Sequence, residues 1–82
     1  MAYPNPTTYT LPFMDKIRVS SRRRFILVRQ HKGENKPFIV QRSDTRSTLE
    51  QHYNPATDYL IDQAEGTTTF HFNGKKEIER HK

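Results

Sequence analysis

The chain has 82 residues, with 14 Lys and Arg against 9 Asp and Glu, and carries a formal net charge of +5. This length holds one domain with one small core, which excludes multidomain enzymes, and the absence of cysteine excludes disulfides, thiolate nucleophiles and Cys-ligated zinc. The longest apolar run is Phe25 to Val28, far below the roughly 20 residues of a membrane span, so we expect no membrane partner. A secreted domain this small often needs disulfides, so the absence of cysteine favours a cytoplasmic protein.

The first 14 residues carry no charged side chain and contain Pro4, Pro6 and Pro12. Proline fixes φ and disfavours the helical region for the residue before it. The sequence therefore predicts an extended Pro/Tyr arm over residues 1–14, followed by a single domain over residues 15–82. Tyr3 and Tyr9 are the candidates in this arm for contact with a partner.

Two apolar runs at residues 24–29 and 37–42 are rich in β-branched and aromatic side chains, and a polar segment with turn residues separates them. This pattern predicts a β-hairpin. Residues 15–20 alternate between polar and apolar side chains, which predicts a preceding strand.

After Arg42 the pattern changes to one that is typical of helices. Ser47 and Glu50 have the spacing of a capping box, which predicts a short helix from this point. Asn54 and Pro55 have the residue types of a second helix start, and Gly66 can end that helix. A strand over residues 59–61 is the alternative, so residues 55–65 are open between helix and strand.

Residues 67–72 alternate as a strand and lead into Asn73-Gly74, the pair typical of a two-residue hairpin turn. The return over residues 75–80 is predicted as an edge strand or a short helix. The predicted fold is therefore a small α+β domain. It contains an antiparallel sheet of three to five strands, built from hairpins, with one or two short helices.

Charge is unevenly distributed along the chain. Residues 15–46 hold ten basic and three acidic residues, whereas residues 47–74 hold four acidic residues and no Lys or Arg. Guanidinium and ammonium groups bind phosphates, which predicts nucleic-acid contact, whether RNA or DNA, by the basic half. The predicted contact residues are Arg22, Arg23, Arg24, Arg29, Lys32, Arg42 and Arg46. The alternative is a basic surface that is solvated, protects strand edges or faces a protein.

The other groups of candidate residues give weaker evidence of a function. The segment Phe70-His71-Phe72 contains side chains that can stack on nucleic-acid bases. A small core without Trp, however, is expected to use its phenylalanines for packing first. The four histidines are at least ten residues apart, so we expect no metal site and no cofactor. No phosphate-binding glycine loop and no spacing typical of a catalytic group is present, so we do not expect an enzyme.

The sequence thus favours a small, non-enzymatic, nucleic-acid-binding protein. The competing hypothesis is a protein-binding adaptor or inhibitor that docks on a larger protein or nucleoprotein assembly through its charge separation and its arm. Small accessory proteins of viruses and phages are comparable in size and composition.

Overall fold

The computed structural model describes residues 6–11, 16–31, 33 and 36–81. Strands form 52% of the structure and helix 7%, so the protein is mostly β and the predicted α+β fold is wrong. In chain order the elements are β1 (Thr7–Thr10), β2 (Lys16–Val19), β3 (Phe25–Arg29), β4 (Phe38–Ser43), α1 (Arg46–Glu50), β5 (Asp58–Asp62), β6 (Thr67–Phe72) and β7 (Lys75–Arg80). None of the described residues belongs to a helix that is long and apolar enough to cross a membrane.

The strands form two antiparallel sheets. β1 and β2 pair as a two-stranded ribbon, and the larger sheet has the order β4-β3-β5-β6-β7. One face of the larger sheet packs against the ribbon, in a cluster of Tyr9, Leu11, Ile17, Val19, Ile26, Val28 and Ile61. The other face packs against α1, in a cluster of Phe25, Leu27, Leu49 and Leu60 that Tyr53 borders. The protein therefore has three layers, with the large sheet in the middle.

The second predicted helix is a strand. β5 pairs with β3 over its whole length, and Leu60 and Ile61 lie opposite Leu27 and Ile26. Both of these β5 side chains are buried, Ile61 in the cluster under the ribbon and Leu60 in the cluster under α1. A strand that is covered on both faces loses the polar alternation that distinguishes it from a helix.

The first predicted helix forms, although its start differs from the prediction. α1 begins after Thr45, whose backbone is extended and whose side chain makes no capping hydrogen bond. Ser47 lies inside the helix, so the capping box with Glu50 does not form. The helix is held by burial of Leu49, which is 0% exposed.

Both predicted hairpins are confirmed. β3 pairs with β4 across a β-bulge, in which Val40 is the extra residue between Ile39 and Gln41. β6 pairs with β7 in an unbroken register from Thr67↔Arg80 to Phe72↔Lys75. Asn73 and Gly74 have φ of 53° and 76°, as a type I′ turn requires. The tail over residues 75–80 is thus the predicted edge strand.

Part of the predicted arm belongs to the core. Residues 7–10 form β1, and Tyr9 and Leu11 are buried between the two sheets. The predicted boundary after residue 14 lies outside the described residues, so the division into an arm and a domain stays a prediction.

Candidate nucleic-acid interface

Arg29, one of the predicted contact residues, is bound to a buried carboxylate. Its Nε donates to Asp58 Oδ1 at 2.7 Å and one terminal nitrogen donates to Oδ2 at 2.8 Å. The Asp58 side chain is 0% exposed and also accepts from the Asn54 backbone N–H and the Thr57 hydroxyl. Burial alone would raise the pKa of Asp58, but these hydrogen bonds outweigh it and hold that pKa below its ordinary value. Arg29 therefore has a structural role.

Arg24 is held in the same way by Asp62. Its Nε and a terminal nitrogen donate to the two carboxylate oxygens at 2.9 and 3.1 Å, and its guanidinium lies 4.9 Å from the Phe25 ring centroid. Asp62 also accepts from the backbone N–H groups of Ala64 and Glu65. Burial favours a higher pKa for Asp62, but the bond from Arg24 and the two N–H groups together lower it.

Two more predicted contact residues have carboxylate partners nearer the surface. Arg23 donates to Asp44 at 2.7 Å, and the hydrogen bond from Arg23 lowers the pKa of Asp44. Arg46 reaches Glu50 at 3.4 Å, one helical turn away, and donates to the Thr69 hydroxyl at 3.0 Å. These exposed pairs leave partial access to the arginines but reduce their net charge.

The remaining predicted residues divide into three groups. Arg22 and Arg42 are exposed, and no carboxylate among the described residues forms an ion pair with either. Lys32 and Tyr3 lie outside the described residues. Tyr9 is 8% exposed and its hydroxyl donates to Gln63 Oε1 at 2.8 Å, which places this side chain in the core. The structure thus brings Arg24 and Arg46 together, with guanidinium carbons 4.9 and 5.7 Å from the Phe25 ring centroid, whereas Arg29 and Tyr9 are engaged elsewhere.

A different set of cations does converge. Lys16 and Arg18 alternate with Ile17 along β2, so both are exposed while Ile17 is buried. Lys36 lies just before β4, and the three cations line an open groove of about 540 Å³ with Ile17 and Pro37. We call this groove the basic trough. No described carboxylate forms an ion pair with its three cations.

None of these three cations is among the contact residues predicted from the sequence. The signal for two of them is the period-2 alternation of residues 16–19, because it places Lys16 and Arg18 on one exposed face. Lys36 has no comparable signal. Its position depends on how the ribbon packs against the large sheet, which no local pattern shows.

The acidic segment is not the free negative pole that its composition indicates. Asp58 and Asp62 are 2% and 4% exposed, and both are bound to arginines of the basic half. The exposed carboxylates of the larger sheet instead lie on β7, at Glu77 and Glu79. Positive and negative segments of the chain are therefore paired within the fold.

The aromatic and histidine candidates are mostly engaged in packing. Phe70 is 7% exposed and stacks on Tyr59, with ring centroids 5.7 Å apart, while Phe72 is 48% exposed. The hydroxyl of Tyr53 lies 2.9 Å from His71 Nδ1, and burial, followed by the charge of Asp58, raises the pKa of Tyr53 to about 12. Among the described residues, no three His, Asp or Glu side chains converge as metal ligands would.

A comparison with protein-family models, with curated proteins and with solved structures finds no significant match to this chain.

Proposed function

We propose that this chain is a non-enzymatic, cytoplasmic protein that binds nucleic-acid phosphates along the basic trough. The observation that supports this proposal is the convergence of Lys16, Arg18 and Lys36 on one open groove without carboxylate partners among the described residues. The arginines of the carboxylate pairs maintain the fold that positions the trough. Arg22 and Arg42, which are exposed and form no ion pair with a described carboxylate, can add to the attraction.

The shape of the trough suits a phosphate backbone better than a small anion. Ammonium and guanidinium groups stand on two walls, one formed by β2 and one by the residues before β4. An extended polyanion passing between the walls contacts both at once, and each contact releases counterions. Three cations in contact predict a slope of about −3 in a plot of log affinity for duplex DNA against log salt concentration.

Fluorescence anisotropy with labelled DNA and RNA at several salt concentrations tests the proposal. The charge-reversed variant Lys16→Glu/Lys36→Glu is expected to lose binding and flatten the salt dependence. The matched control, Lys75→Glu/Lys76→Glu, makes the same charge change on exposed positions of β7. It is expected to weaken binding much less, because β7 lies at the other side of the sheet.

Two results would contradict the proposal. If the wild-type protein binds no nucleic acid at low salt, phosphate binding is not its function. If the two charge-reversed variants lose affinity equally, net charge alone attracts the polyanion and the trough has no special role.

A second candidate function, docking on a protein, is favoured by the outer edge of β7. All six of its residues are exposed, and Ile78 is 61% exposed in the middle of an unbroken strand. Lys76, Ile78 and Arg80 share one face and Glu77 and Glu79 share the other. Among the antiparallel registers of a second copy of β7, the one centred on Ile78 places Lys76 opposite Arg80 and Glu77 opposite Glu79, so like charges repel there. The complementary occupant is an extended partner segment with acidic residues opposite the two cations and basic residues opposite the two glutamates.

A peptide with that charge pattern, and its charge-swapped counterpart, separate this candidate from the first. Changes in the amide chemical shifts of β7 in a ¹⁵N-correlated spectrum, seen with the first peptide alone, would support addition of the peptide as a strand beside β7. Equal shifts with both peptides, or none on β7, would exclude it.

A further inference from the structure

The ribbon of β1 and β2 stands as a narrow ridge on the larger sheet. Tyr9, Ile17 and Val19 of the ribbon pack downwards into the core, on Ile26 and Val28 of β3. Packed sheets lie about 10 Å apart, and strands within a sheet lie about 4.8 Å apart. A two-stranded ribbon on a five-stranded sheet is therefore about one layer high and much narrower than its base.

The upper surface of this ridge is entirely polar. Thr8, Thr10, Lys16 and Arg18 alternate with the buried positions and are all exposed. The strand register places Thr8 opposite Arg18 and Thr10 opposite Lys16. Each of these two cross-strand pairs thus presents one cation and one threonine, whose side chain carries a hydroxyl and a methyl group.

Both flanks of the ridge are concave. The basic trough runs along β2, and a second depression of about 250 Å³ runs between β1 and the end of β7. Lys36 on the β2 side is exposed, and no carboxylate among the described residues forms an ion pair with it. The β1 side is lined by both Glu79 and Arg80 and adds no net charge. A phosphate backbone is therefore attracted more strongly to the β2 side.

We propose that this ridge enters the major groove of duplex DNA and reads base edges there. This inference rests on the proposed function and names its substrate class. The major groove of B-DNA is about 12 Å wide and 8.5 Å deep and admits a two-stranded ribbon. Arg and Lys pair with guanine acceptors, and a Thr side chain can contact a thymine methyl group or accept and donate hydrogen bonds. The flanks receive the two sugar–phosphate backbones.

Duplex RNA is the occupant that this geometry disfavours. The major groove of an A-form helix is deep and narrow, and side chains on a ribbon cannot read it. Single strands offer no groove for the ridge to enter. The proposed ridge therefore distinguishes duplex DNA from both of these ligands, which the basic trough alone does not.

The test compares Arg18→Ala with Lys36→Ala, two exposed cations that border the same trough. A DNA sequence is first selected by the wild-type protein from a randomised duplex pool. Affinity is then measured by anisotropy for the selected duplex, a random duplex, a duplex RNA and a single strand. Far-ultraviolet circular dichroism verifies that each variant is folded.

We expect the wild type to bind the selected duplex at least tenfold more tightly than the random duplex or the RNA. Arg18→Ala should lose roughly 5- to 150-fold on the selected duplex, as loss of a base contact predicts. Because Arg18 also borders the trough, its loss on the random duplex should be no larger than that of Lys36→Ala. Lys36→Ala should weaken both duplexes by a similar factor and reduce the salt slope by about 1.

Three results would overturn base reading while the proposed function survives. These are a pool that yields no enriched sequence, equal affinity for duplex DNA and RNA, and an Arg18→Ala variant that weakens the selected and random duplexes alike. A wild-type protein that binds none of the four ligands at low salt would overturn the proposed function and this inference together.

Discussion

Replacing Arg29 should destabilise the fold rather than weaken a nucleic-acid contact. Arg29→Ala leaves the Asp58 carboxylate, which is 0% exposed, with only the donors of Asn54 and Thr57. Removing one partner of a buried ion pair costs about 3–5 kcal/mol. Since two donors remain and Arg29 is itself 24% exposed, we expect about 3 kcal/mol at neutral pH. For a domain of this size that lowers the melting temperature by roughly 12–24 °C.

Equilibrium urea unfolding, followed by circular dichroism, measures this loss. Arg22→Ala is the matched control, because Arg22 is exposed and has no ion pair among the described residues. It should change the free energy of unfolding by less than about 0.5 kcal/mol. A loss below 1 kcal/mol for Arg29→Ala, or a loss equal to that of the control, would refute the structural role of the pair.

The pH dependence gives an independent check of the same reasoning. The folded-state pKa of Asp58 lies below its unfolded value of about 3.9, so the pair stabilises the fold fully above that pH. This stability is lost as the pH falls through the folded pKa. The difference in unfolding free energy between wild type and Arg29→Ala should therefore shrink as the pH falls below about 4, and a constant difference would contradict the assignment.

Three further predictions concern the fold. Gly74→Ala, at a φ of 76°, should cost about 1 kcal/mol in a thermal melt, because a Cβ disfavours this conformation. Leu49→Ala should cost about 3 kcal/mol in urea, since the side chain is 0% exposed, whereas Ile78→Ala, 61% exposed, should change stability by less than about 0.5 kcal/mol. Tyr53→Phe should remove a phenolate absorbance step near pH 12 and cost about 1 kcal/mol through the lost bond to His71.

Hairpins were the part of the fold that could be predicted from the sequence. β-branched and aromatic runs mark β3 and β4, and Asn73-Gly74 specifies its own turn because both residues tolerate a positive φ. The strand β5 could not be separated from a helix. Asp58 and Asp62 are four residues apart, which is typical of one helix face, yet here they share one face of a strand with Leu60.

The candidate site was predictable only as a charge excess in the first half of the chain. Which cations remain free depends on strand register. Arg29 meets Asp58 because β3 and β5 pair with these two residues directly opposite, although they are 29 positions apart in the sequence. The same strand pairing neutralises two of the arginines predicted as contacts. Of the cations at the open groove, Lys36 has no signal in the sequence.

The two outer strands of the large sheet differ in a way that limits how the protein can assemble. β4 carries the bulge at Val40, which interrupts the regular spacing of its outward backbone groups, whereas β7 is unbroken. Only one side of the sheet is therefore a regular template for another strand. The large sheet therefore has one regular edge, and a strand joined there would leave no second regular edge of this sheet for further growth.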